Sequence, residues 1–208
     1  MNNRSIGVRM KKIIIYTQRV EIVESYGERR DCADQNIPRF LEACGYLPVP
    51  IPNIVYVLDE YVEKTAPAGI LLTGGNSLIK YGGNAPERDD TDRRLLEIAI
   101  EKEIPVYGFC RGMQSILDYF GCRLENVSGH VAVRHQVQGE WGIFTVNSYH
   151  NQACREVKEP LWTAAMAGDG VVEAVGCRNH KIMAAMWHPE REVPFASADI
   201  ERMKNFFG

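Results

Sequence analysis

The chain has 208 residues, 45% of them hydrophobic and 25% charged, with 24 basic and 27 acidic residues for a net charge of −3. That is the composition of a globular domain, and the near-even balance of charge gives no electrostatic footprint for nucleic acid or an anionic membrane surface. No apolar stretch approaches the ~20 residues of a membrane span, and a chain this long buries roughly 70% of its unfolded surface without needing a disulfide framework.

The cysteines stand at Cys32, Cys44, Cys110, Cys122, Cys154 and Cys177, with no C-x-x-C pair among them. Free thiols in a reducing cytoplasm are the expectation. The apolar run Ile13 to Ile15 with Tyr16 is too short for a signal-peptide core. Residues 1–10 read as an N-terminal extension, with Met10 an alternative start, ahead of a single domain at 11–208.

In chain order, Lys12 to Thr17 is a β-branched run that predicts a first strand. Asp31 to Cys44 predicts a helix, with Ile37, Phe40, Leu41 and Cys44 at helical spacing and Gly45 as its stop; Pro38 fits poorly unless the helix begins near it. The cluster Arg29-Arg30-Asp31 reads as the start of that helix or as an anion contact. Leu47 to Ile51 is a second short apolar run, and Ile54 to Lys64 a second helix. Gly69 to Thr73 predicts a strand cut off by Gly74-Gly75; Thr91 to Lys102 predicts an amphipathic helix. Ile104 to Phe109 predicts a strand that runs straight into a helix over Met113 to Phe120.

Strand alternating with helix implies an α/β domain: a central, mostly parallel sheet with helices on both faces. The second half becomes β-rich, with short runs between Val127 and Ala153, a closing hairpin from Val171 to Val175 and Lys181 to Trp187 with His180 at its tip, and a last helix over Ala198 to Phe207.

The most informative segment is Gly108-Phe109-Cys110-Arg111-Gly112-Met113-Gln114. A cysteine between small residues at a strand–helix junction is lifted out at the carboxyl end of the sheet, where open α/β sheets place ligands. The positive end of the following helix favours thiolate, the nucleophilic form. An isolated cysteine is more often a small core hydrophobe; the flanking glycines reverse that preference. In Trp187-His188-Pro189-Glu190, an extended backbone puts His188 and Glu190 on one side, so that a carboxylate orients an imidazole base. The backbone amides of Gly75 and Arg111 are the candidate oxyanion donors. Gln114 lies one helical turn after Cys110, and Ser148-Tyr149-His150-Asn151-Gln152 is dense in polar groups. His130 and His135 have no third ligand nearby in the sequence, so no metal site and no cofactor are expected.

These motifs resemble those of the class I glutamine amidotransferase superfamily: the nucleophile run around Cys110, the His-Pro-Glu run at His188, and Leu71-Leu72-Thr73-Gly74-Gly75 before them, in that order along the chain. Within it the chain looks most like the stand-alone γ-glutamyl hydrolases of the peptidase C26 type, on Arg30-Asp31, Asp34-Gln35, the run Pro48 to Asn53 and Tyr81-Gly82. The resemblance implies a flavodoxin-like fold, Cys110 as nucleophile, His188 as base and Glu190 as its orienter. It implies Gln114, Asn76, Ser148, Tyr149, His150, Asn151 and Arg30 as substrate contacts. The implied partner is a small γ-glutamyl amide, nucleotide-linked in the hydrolases of capsule polysaccharide modification that the chain is most similar to. For such a nucleotide, Arg29, Arg30, Lys80, Arg88 and Tyr81 are candidates. Asn76 stands where many relatives carry Asp, and Phe109 replaces a more usual aliphatic residue, departures that bear on the pocket wall. The alternatives are a glutaminase subunit feeding ammonia to a synthase, and a catalytically silent binding protein. Oligomeric state stays open, a homodimer among the options.

Overall fold

The structure, a computed structural model, describes residues 10–208; the expected N-terminal extension lies, but for Met10, outside the described residues. Among the described residues, thirteen strands and five α-helices follow in the order β1 (Ile13–Tyr16), β2 (Arg19–Val23), β3 (Glu28–Cys32), α1 (Asn36–Ala43), β4 (Leu47–Pro50), α2 (Leu58–Thr65), β5 (Gly69–Leu72), α3 (Pro86–Glu101), β6 (Val106–Phe109), α4 (Arg111–Tyr119), β7 (Glu125–Asn126), β8 (Val131–Gly139), β9 (Gly142–Tyr149), β10 (Gln152–Ala153), β11 (Leu161–Ala167), β12 (Val172–Cys177), β13 (Ile182–Ala185) and α5 (Ser197–Phe207).

Nine strands form one sheet in the order β4-β1-β5-β6-β13-β12-β11-β8-β9. Neighbours from β4 to β13 run parallel, and those from β13 to β9 antiparallel. Period-two alternation sorts the core into two layers. In β1, Ile15 packs with Leu58, Leu95, Met113 and Ile116 of α2, α3 and α4, whereas Ile14 and Tyr16 pack with Phe40, Leu41, Met203 and Phe207 of α1 and α5. Helices therefore cover both faces, and the strands between them are apolar throughout, as buried parallel strands must be.

Three departures from the predicted elements matter. The helix expected from Asp31 starts at Asn36, because Arg19–Val23 and Glu28–Cys32 pair as an antiparallel hairpin around a turn at Gly27; Arg29, Arg30 and Asp31 lie in its second strand, not at a helix start. Pro38 then falls in the first turn of α1, where its missing N–H costs nothing. The helix expected from Thr91 begins five residues earlier at Pro86, a favoured first helical residue. Strand β11, not anticipated, inserts between β12 and β8. The closing hairpin forms as expected, and β13 also pairs parallel with β6, in register Ala185 with Phe109. That register sets the site, since β5, β6 and β13 are adjacent and end together.

Candidate active site

Strand β6 ends at Phe109 and α4 begins at Arg111, leaving Cys110 alone at the corner with φ 51° and ψ −112°. A side chain rarely adopts such a conformation, which costs of order 1–3 kcal/mol and must be held by its surroundings. The Cys110 N–H donates to Ala185 O at 2.8 Å, and its carbonyl accepts from Gln114 N at 3.1 Å. The corner is tight because α4 lies directly on β5: a Cβ on Gly112 would stand 2.0 Å from Leu72 O. Only glycine lets the helix approach that closely.

His188 follows β13 as Cys110 follows β6. Its Nδ1 meets Glu190 Oε1 at 2.6 Å, leaving Nε2 for the Cys110 sulfur, which lines the same cavity. The expectation of an extended backbone from His188 to Glu190 is corrected: Pro189–Arg191 form one turn of 3-10 helix, and that turn folds the carboxylate back onto its own neighbour. Both side chains are 3% exposed. Burial alone disfavours the imidazolium, but the Cys110 sulfur and the Glu190 carboxylate outweigh it and raise His188 to about 9. Asn147 holds the His188 backbone from both sides, accepting from His188 N at 2.9 Å and donating to His188 O at 2.8 Å. The sequence reading missed Asn147; a buried amide two positions before Tyr149 carries no local signal.

Cys110, Arg111, Gly75, Gln114 and His188 line a cavity of about 390 Å³. Gly75 has φ +95°, which turns the chain just after β5, and Arg111 is the first residue of α4, where N–H groups have no intrahelical acceptor. A second cavity of about 290 Å³, lined by Arg19, Asp34, Gly74 and Glu190, shares Gly75, His188 and Arg191 with the first. The site thus has two compartments flanking the His188 ring. A larger cavity, about 620 Å³, lies between the β8–β9 hairpin and α5 and holds none of the reactive groups; the chemistry, not the volume, identifies the site.

The other expected contacts divide. Tyr149, His150 and Asn151 line the first cavity, and Arg191 stacks its guanidinium 4.4 Å from the Tyr149 ring centroid. Gln114 lines it too, with its amide nitrogen committed to Gln152 O at 2.9 Å. Ser148 is corrected: its side chain is fully buried and its hydroxyl donates to His130 O at 2.7 Å. Asn76 reaches the cavity wall, but its amide exchanges two hydrogen bonds with the Val20 backbone and so pins the β2–β3 hairpin beside the site. Arg30 lines neither compartment; it pairs with Glu28 and Tyr26 in the hairpin, and Arg19 takes the expected cationic place. The nucleotide candidates are engaged as well: Arg29 with Glu87, Lys80 with Asp118, Tyr81 with the Leu124 amide, and Arg88 fully buried on Asp92.

The arrangement suits acyl transfer: a thiol on a strained corner beside an imidazole oriented by a carboxylate, with Gly75 and Arg111 on the same cavity. The sequence model of Peptidase C26 matches residues 12–139 and 127–190. The chain belongs to the Peptidase C26 family. This C26 chain is 32% identical to the γ-glutamyl-CDP-amidate hydrolase of Campylobacter jejuni, over 85% of the chain and 88% of that protein. It is 31% identical to the γ-glutamyl-γ-aminobutyrate hydrolase of Escherichia coli K12, over 70% and 73%. Its fold matches a solved structure from Thermoplasma acidophilum, assigned to a GMP synthase, with TM-score 0.71 and 19% identity over 95% of this chain and 93% of that one. The α/β class expected from the motif order is the one observed.

The elevated His188 makes a prediction. The ring must carry a proton to hand to a leaving amine, so activity should fall as pH rises through about 9. Glu190→Gln removes one of the charges that favour the imidazolium. The variant should lose about 10²-fold or more in kcat and show its alkaline limb at lower pH. A pH profile of kcat/KM for both proteins measures this; an unmoved limb would deny Glu190 its electrostatic role.

Proposed function

We propose that this C26 chain hydrolyses a γ-glutamyl amide through a thioester on Cys110 and releases glutamate. The observation that carries the reading is the placement of Cys110 and His188 on one cavity at the ends of adjacent parallel strands, with His188 held by Glu190 at 2.6 Å. The thiol gives its proton to His188, and sulfur attacks the amide carbonyl. The amides of Gly75 and Arg111 take the oxyanion, the imidazolium protonates the departing nitrogen, and water then hydrolyses the thioester with His188 as base.

The two compartments suit a substrate with two parts: the glutamyl group beside Gln114 and Tyr149, and the leaving group beside Arg19 and Arg191. Arg191, and Arg19 if it is released from Glu21, are the cations there that a phosphate-bearing leaving group would meet. Together with 32% identity to a γ-glutamyl-CDP-amidate hydrolase, this makes γ-glutamyl-CDP-amidate the substrate to test first, with cytidine diphosphoramidate as the second product. No helix among the described residues is long and apolar enough to cross a membrane. The cysteines are free, which supports the cytoplasm as the place of action.

The test is release of glutamate by the pure protein from γ-glutamyl-CDP-amidate, γ-glutamyl-γ-aminobutyrate and glutamine. Turnover of the nucleotide-linked amide at the highest kcat/KM is expected. Turnover of glutamine alone, and only after a synthase is added, would instead favour an ammonia-supplying role.

A further inference from the structure

Three histidines outside the triad converge on one buried carboxylate. Strand β11 ends opposite Val137, so His130 and His135, earlier on that chain segment, reach past its end to Glu173 on β12. His130 Nδ1 stands 3.1 Å from Glu173 Oε1, His135 Nε2 3.3 Å, and His150 Nε2 3.3 Å. Glu173 is fully buried, and the side chains of His130 and His150 are 4% and 1% exposed. The absence of a nearby third ligand in the sequence is thus reversed in the fold.

Proximity here is not hydrogen bonding. His130 Nδ1, His135 Nε2, both ring nitrogens of His150 and both Glu173 oxygens lack a hydrogen-bond partner. Buried polar atoms gathered like this and left unpaired would be costly. A cation bound by His130 Nδ1, His135 Nε2 and the Glu173 carboxylate satisfies those groups together, since neutral imidazoles and a carboxylate then all offer lone pairs. The spacing suits one. Ligands 2.0–2.2 Å from a tetrahedral zinc ion lie about 3.3–3.5 Å apart, and donor atoms of His130, His135 and Glu173 all lie within 4.8 Å of one another. An outer partner is in place: His130 Nε2 and Asp169 Oδ2 are 3.0 Å apart. With the proton held there, the Nδ1 lone pair is left facing Glu173, the arrangement by which a carboxylate orients a metal-bound imidazole.

The geometry points to a binding site for one zinc-class divalent ion on His130, His135 and Glu173, with His150 at its edge, 3.3 Å from the same Glu173 oxygen. The site is distinct from Cys110 and takes no part in the thioester chemistry. It joins β8, the end of β9 and β12, and it braces the Tyr149–Asn151 wall of the cavity, because His150 N already donates to His130 O at 3.0 Å.

The test uses the full chain bearing Cys110→Ser, so that the nucleophilic thiol does not compete for metal, stripped with chelator and titrated with Co²⁺. One equivalent should bind with visible d–d bands of low coordination number and no sulfur-to-cobalt charge-transfer band. Zn²⁺ should displace it and raise the thermal midpoint. His135→Ala changes a ligand that is partly exposed, and Asp169→Asn alters only the outer partner, so both should fold; each should weaken binding by about tenfold or more. No d–d bands and no zinc-dependent shift of the midpoint would overturn the proposal. So would binding that both substitutions leave unchanged, which would place the metal elsewhere.

Discussion

Cys110→Ala protein is expected to release glutamate from a γ-glutamyl amide at no more than about 10⁻⁴ of the unsubstituted rate. The loss is large because the sulfur forms the bond that splits amide hydrolysis into two easier steps; the oxyanion donors and the substrate contacts alone retain only a small part of the acceleration. Fold and substrate binding should persist, since alanine is only slightly smaller than the side chain it replaces at the cavity wall. Single-turnover mixing adds a second readout. Unsubstituted protein should accumulate a glutamyl thioester detectable by mass, and the variant should not. Glutamate release within tenfold of the original would remove Cys110 from the chemistry.

The second large effect is on stability. Arg88 is fully buried and donates Nε to Asp92 Oδ1 at 3.0 Å and Nη2 to Thr17 Oγ1 at 2.6 Å and Thr73 O at 3.0 Å. Burial pushes this guanidinium down to about 10, with Asp92 its main support. Arg111 reaches the same Asp92 as well as Asp89 and Ser115. One carboxylate therefore bridges two guanidiniums, with Asp89 supplying the second negative charge, and the network ties α3 to the start of α4 and to the residues that follow β1 and β5. Asp92→Ala would leave Arg88 buried without a counter-charge, at a cost of roughly 3–5 kcal/mol. Urea unfolding measures it, and a loss below about 1 kcal/mol would show that the network contributes little. Because Thr73 precedes Gly74-Gly75, and Arg111 carries the second of the proposed oxyanion amides, the same variant should also lose activity while still folded.

What the sequence determined by itself was set by short-range rules. The glycines around Cys110, the proline after His188 and the Gly74-Gly75 stop are local devices, and their order along alternating strands and helices implied an α/β sheet with reactive residues at strand ends. Family resemblance, carried by the same residues, supplied their roles. The tertiary structure decided what depends on long-range pairing. Helical spacing from Asp31 to Cys44 makes Arg29-Arg30-Asp31 read as a helix start or an anion contact; only pairing with Arg19–Val23 makes residues 28–32 a strand. Ser148 is expected at the substrate, yet the hydroxyl is spent on His130 O, because the end of β9 is buried at every position from Val146 to Ser148. Asn147 and Glu173 have no neighbours in sequence that reveal their work, since they act across 41 and 43 residues on His188 and His130; Asp92 meets Arg88 one helical turn away, but its second partner, Arg111, lies 19 residues on. Local chemistry announces a nucleophile. Which buried charges hold it in place, and which histidines meet one carboxylate, follow from sheet register, and register is a property of the whole fold.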